Sequence, residues 1–153
     1  MYNLKKQSGM YKGIVGECLA KLANKGLVIT HMSGSEKYLY ACKQNIPESH
    51  YIFLKKHWHT IDAVKKGPNN TLIIYEIKTR NYLPDRKKLW KIQLTHSSYH
   101  SYREAISLGL RVKILTVELL DQWDYVIHTQ DFTHADYHVS KPRPYDWHPG
   151  GIS

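Results

Sequence analysis

Two acids and a lysine stand at spacings that suggest metal chemistry. Asp62 lies in the run Thr60-Ile-Asp-Ala-Val-Lys-Lys66, and Glu76 and Lys78 lie in Thr71-Leu-Ile-Ile-Tyr-Glu-Ile-Lys-Thr79. Both runs are rich in β-forming residues, and Gly67-Pro-Asn-Asn70 between them reads as a turn, so a hairpin is expected. With the turn centred on Asn69, paired residues have numbers that sum to 138, and Asp62 faces Glu76. Directly opposed residues of an antiparallel pair share a face, with Cβ atoms about 4.5–5.5 Å apart. Two carboxylates are thereby forced together, and Lys78, two residues past Glu76, joins them on that face with one positive charge. A divalent cation would supply the rest. Mg²⁺, with Mn²⁺ as a substitute, accepts carboxylate and carbonyl oxygens and keeps positions open for a phosphate; the Ile77 carbonyl, between the acid and the lysine, is a further expected ligand. The competing reading is a solvated cluster in which a base pairs with the acids, since surface ion pairs are common and weak. The core-like neighbours Ile61, Ala63, Val64, Leu72, Ile73 and Ile74 favour the metal.

The elements that must position these residues follow from periodicity. Residues 13–26 read as a helix with Val15, Leu19, Leu22 and Ala23 on one face and Gly26 as its stop. Cys18 within it is expected to be a small buried thiol. Leu27–Thr30 is a short strand candidate and residues 32–35 a turn; beyond it, residues 37–41 read either as a strand or as part of an insertion. Tyr51-Ile-Phe-Leu54 is strand-like. After the hairpin, residues 81–88 form a basic connection, and Asp85 is expected to cap a helix through Lys88, Leu89 and Ile92 that carries Gln93. A stronger helix starts at Ser97 or Ser98, puts Tyr99, Tyr102, Ala105 and Ile106 on one face, and ends at Gly109. Residues 111–117 and 125–128 are further strands, and residues 133–153, aperiodic and proline-bearing, read as an arm or tail. The sum is an α/β chain with a mixed β-sheet flanked by helices, in one domain over residues 1–132 plus that arm.

Composition sets the partner. The chain has 153 residues, 42 % apolar and 23 % charged, a globular mixture that argues against disorder and coiled coils. No run approaches the roughly 18 apolar residues of a membrane span, and no signal-type stretch follows the first residues, so no membrane partner and a cytoplasmic location are expected. Two cysteines form no disulfide framework. Lys and Arg number 22 against 13 acids, a net charge of +9, with twelve tyrosines and four tryptophans interleaved, which suits DNA. Lys55, Lys56, Lys65, Lys66, Arg80, Arg86, Lys87 and Lys88 flank the acids in sequence and are the expected phosphate-binding rim. His57 and His59 lack the companion spacing of a zinc site.

Asp62 followed by Glu76-Ile77-Lys78 resembles the signature of the PD-(D/E)xK nuclease superfamily, with Ile61 where the signature proline would stand. Gly16-Glu17-x-Leu19-Ala20, then Lys25-Gly26-Leu27, together with Glu76-Ile-Lys-Thr-Arg80, is similar to the arrangement in archaeal Holliday-junction resolvases and small YraN-type proteins. The resemblance covers residues 13–80 and continues loosely to Val117. It implies a restriction-endonuclease-like fold and divalent-metal-dependent cleavage of DNA phosphodiesters, in branched DNA or at a specific duplex site. It places Asp62, Glu76 and Glu17 around the metal, Lys78 as the group that activates water, and Gln93 beside the site, with a glutamine on the helix surface as the competing reading for Gln93. Cutting both strands of near-symmetric DNA with so small a chain implies a homodimer or higher even oligomer. A non-catalytic nucleic-acid-binding module that keeps the fold is the alternative.

Overall fold

The computed structural model describes residues 5, 8–82 and 91–142. Its elements are α1 (Gly9–Ala23), β1 (Val28–Ile29), α2 (Glu36–Cys42), α3 (Glu48–His57), β2 (Ala63–Lys66), β3 (Leu72–Asn81), β4 (Ile92–Leu94), α4 (His96–Ser107), β5 (Arg111–Leu119), β6 (Tyr125–Asp131), a 3₁₀ turn (Phe132–His134) and β7 (Tyr137–Val139). Five strands form one mixed sheet in the order β1-β2-β3-β5-β6. The β3–β5 pair is parallel, and the other three pairs are antiparallel. β4 and β7 make a second, two-stranded parallel sheet.

β3 is central and buried on both faces over its first six residues, all apolar but Glu76, as a strand covered on each side must be. On one face α2, α3, α4 and the small sheet bury Leu39, Phe53, Leu54, Tyr102, Ala105 and Phe132 against Val64, Ile74 and Ile114. On the other, α1 lays Ala20, with Val15 and Leu19, against Ile77, Leu115 and Val117. α1 comes close because Gly16 has no side chain: a Cβ there would stand 1.7 Å from Thr79 Oγ1. Ser8 caps α1 by accepting the Tyr11 N–H. Gly26 and Gly109, both at φ +87°, take the left-handed turns that follow α1 and α4.

Several expectations fail here. Residues 37–41 belong to a helix, α2, with Leu39 and Cys42 buried one turn apart. Residues 51–54 also belong to a helix: Tyr51 and Phe53 are buried around exposed Ile52, which imitates a strand, but His50 and Leu54 complete a helical stripe. Ile92 and Gln93 lie in β4, not in a helix, because β7 offers them a strand partner 45 residues along. Within the stretch expected to be aperiodic, residues 132–134 form the 3₁₀ turn and residues 137–139 form β7, with the Tyr137 hydroxyl donating to the Phe132 carbonyl; residues 143–153 lie outside the described residues. Within α1, Leu22 is 80 % exposed and Cys18 is exposed, since the stripe that meets the sheet is centred on Gly16 and Ala20. Asp85, Arg86, Lys87 and Lys88 lie outside the described residues.

Candidate metal centre

The hairpin has the register that its turn dictates. Ala63 pairs with Tyr75, Val64 with Ile74, Lys65 with Ile73 and Lys66 with Leu72, every sum being 138. Asn69 and Asn70 both adopt left-handed φ values, 57° and 56°, which asparagine tolerates in such tight turns. Asp62 immediately precedes the ladder, so the same register brings it beside Glu76 at the hairpin's open end.

Glu76 is 5 % exposed, on the face covered by α4. The Tyr102 hydroxyl donates to its Oε2, and Lys78 Nζ lies 3.3 Å from its Oε1. Burial, reinforced by the Asp62 carboxylate, pushes the Glu76 carboxyl up to about 8. Burial and the neighbouring carboxylates likewise raise the Tyr102 phenol well above its ordinary range.

Asp62 is fixed at both ends. The Ile77 N–H donates to its Oδ2 at 2.8 Å, where a backbone carbonyl would continue the ladder. In a strand the N–H and C=O of one residue point to the same edge, so the Ile77 carbonyl faces this opening too. The Thr30 N–H donates to the Asp62 carbonyl at 3.0 Å, and the Thr30 hydroxyl donates to the Ile61 carbonyl. That anchor brings the next residue, His31, to the site, with Nε2 3.4 Å from Asp62 Oδ1. The hydrogen bond to Asp62 holds the His31 imidazole above its ordinary range. Glu17 arrives from α1; burial, with Asp62 adding to it, raises its carboxyl. Glu17, His31 and Asp62 each present one ligand atom within 4.8 Å of the others, the one such group among the described residues.

The donor chemistry fits a divalent cation. Glu17, Asp62 and Glu76 bring three carboxylates to the end of one hairpin, and Lys78 is their only ammonium partner within ion-pair distance among the described residues. Glu76, outside the 4.8 Å group, shares with it the Asp62 carboxylate.

The described residues of the expected rim are dispersed. Lys56 is 3.8 Å from Glu104 at the end of α3, next to Lys55. Lys65 and Lys66 lie three and four residues past Asp62 toward the turn, about 10–13 Å along the strand; Lys66 lines a cleft with Tyr38 and Cys42. Among the described rim residues, Arg80 alone continues from Lys78 on the same face, beside Glu118. Gln93 is exposed in β4 and does not enter the acid cluster. His57 locks α3 to α4, with Nε2 2.6 Å from Glu104 Oε2 and Nδ1 3.1 Å from the Ser101 hydroxyl.

Three features escape a reading of the sequence alone. His31 and Tyr102 reach the acids through tertiary packing, although His31 directly follows the β1 run. Glu118, buried on β5, meets His128 at 2.5 Å and Arg80 at 3.6 Å. Its signal is an acid in an apolar strand, one residue past Val117. Comparisons with protein-family models, curated proteins and solved structures return no match.

Proposed function

We propose that this chain is a divalent-metal-dependent DNA endonuclease with a restriction-endonuclease-like fold, hydrolysing phosphodiester bonds in branched DNA or at a specific duplex site. The observation that carries this reading is the meeting of Asp62, Glu76 and Lys78 at the open end of one buried hairpin. The order of α1, the meander β1–β2–β3, α4 and the parallel return strand β5 supports the fold. The charge of +9 supports a polyanionic partner.

Asp62, Glu76 and the Ile77 carbonyl would hold the cation, with Glu17 at its margin; when bound it supplies Lewis-acid stabilisation of the phosphate and eases deprotonation of water. The chain's own groups do the rest. Lys78, 35 % exposed at its side chain and anchored on Glu76, orients the attacking water and stabilises negative charge on the phosphoryl oxygens. Tyr102 holds the Glu76 carboxyl in one orientation, and the Ile77 N–H does so for Asp62. Arg80 extends the positive track by one step along β3. Cutting both strands calls for a two-fold pair of chains.

The test incubates the protein with Mg²⁺ and linear, single-stranded, flapped and four-way-junction DNA, and maps the ends. Asp62→Ala, Glu76→Gln and Lys78→Ala should each slow single-turnover cleavage by about 10²–10⁴-fold while binding persists. Parental rates in any of the three would remove the site. Binding without breakage by the parent would favour the non-catalytic module.

A further inference from the structure

The proposed ligands Asp62, Glu76 and the Ile77 carbonyl are oxygen donors alone, yet the same opening also holds the imidazole nitrogen of His31. We propose that His31 is a ligand of the ion at Asp62, and that its imidazole makes the centre select a first-row transition ion over Mg²⁺. The inference rests on the metal-dependent reading of this site and deepens it by naming the class of ion.

Three independent elements deliver the donors. Glu17 comes from α1, whose distance from β3 is set by the contact of Gly16 with Thr79. His31 follows β1, and its neighbour Thr30 is tied by backbone and hydroxyl to residues 61 and 62. Asp62 spends Oδ2 on the Ile77 N–H, which leaves Oδ1 turned to His31. The resulting group, with ligand atoms inside 4.8 Å, exists before any ion enters. His31 is 43 % exposed at its side chain, so solvent and an incoming ion reach it. A simple ion pair between His31 and Asp62 would need no third group. Here Glu17 closes the triangle as a third donor, and the buried Glu76 carboxyl stands on the other side of Asp62.

The choice of ion follows from donor type. Mg²⁺ is a hard cation that prefers oxygen ligands and releases its waters reluctantly. Imidazole favours the later first-row ions, and for a fixed set of nitrogen and oxygen donors affinity rises from Mn²⁺ through Co²⁺ to Ni²⁺. A site of two carboxylates and one imidazole therefore binds Mn²⁺ and Co²⁺ more tightly than Mg²⁺, and the imidazole is the source of the difference.

The experiment titrates the full chain with Mg²⁺, Mn²⁺ and Co²⁺, each alone and without DNA. Calorimetry reads the affinities, and electron spin-echo spectroscopy of the Mn²⁺ form reads coupling to a ligand nitrogen. The parent should bind Co²⁺ at least about tenfold more tightly than Mg²⁺ and show imidazole nitrogen coupling. His31→Ala should lose the coupling and most of the preference, with Mg²⁺ affinity unchanged. His31→Asn, which retains a hydrogen-bond donor toward Asp62 but no imidazole nitrogen, should behave like His31→Ala. Equal losses of Mg²⁺ and Co²⁺ in both variants, or Co²⁺ affinity and nitrogen coupling that survive in them, would overturn the proposal. If Mg²⁺ binds, cleavage proceeds and His31 is irrelevant to both, only this inference fails. If no divalent ion binds the parent, the endonuclease reading fails with it.

Discussion

At the scale of single residues, the site depends on a carboxyl that the fold holds in an unfavourable environment. Glu76 is buried against Asp62, and its partners Lys78 and Tyr102 do not offset the desolvation, so it keeps its proton up to about 8 instead of releasing it near 4.5. Between those values the folded metal-free chain binds a proton that the unfolded chain has lost, so stability falls as pH rises toward 8 and levels off above it. Melting curves in chelator from pH 5 to 8.5 should show this decline, and Glu76→Gln should flatten it. Because a cation needs the carboxylate form, Mg²⁺ should raise the melting temperature more at pH 8 than at pH 6. An unchanged slope in Glu76→Gln would mean that other groups govern it. The facing of Asp62 and Glu76 is legible in the sequence, because a short turn fixes register and register fixes facing residues. Tyr102 reads there only as one apolar helix position, since nothing local says that its hydroxyl meets a carboxylate on another element. For the same reason His31 carries no local mark.

At the scale of elements, α1 is positioned by an absence. Gly16 lets the helix backbone approach β3 until Thr79 fills the space of a side chain, and Glu17 is carried in with it. Gly16→Ala should lower stability by about 1–3 kcal/mol, as overpacking does, although alanine is the better helix former. It should also slow cleavage by displacing Glu17. Thr79→Ala in the same chain should recover part of both losses, because it removes Oγ1 but leaves the Thr79 Cβ, which would be 2.8 Å from the added methyl. Thermal melting and single-turnover rates on the two variants separate this from a helix-propensity effect, which would raise stability. α1, the hairpin, α4 and β5 are legible because each has a long period or a glycine stop. α2 and α3 are not: α2 is seven residues long with an unbroken apolar run from Tyr38 to Cys42 that shows no period, and in the ten residues of α3 Tyr51 and Phe53 are buried around exposed Ile52 as in a strand. β4 and β7 have three residues each and no pattern of their own, and only their pairing defines them.

At the scale of the whole molecule, charge is the broadest signal. A net charge of +9 spread over many lysines predicts affinity for duplex DNA that falls linearly with the logarithm of salt concentration. Replacing Lys87 and Lys88 together should reduce the steepness by up to about two units, at about 0.9 per phosphate contact. An unaltered slope would show that neither lysine touches phosphate. The distribution of that charge was not legible: Lys65 and Lys66 follow Asp62 closely in sequence, yet an extended strand carries them toward the far end of the hairpin. The topology has one more consequence. β7 is the last strand in chain order, and its partner β4 lies in the crossover between β3 and β5. N-terminal segments leave the ribosome first. All five strands of the main sheet are therefore available while β4 still waits for a partner, and the nascent chain can build the sheet that carries the acid cluster before residues 137–139 emerge to fasten the crossover beside it.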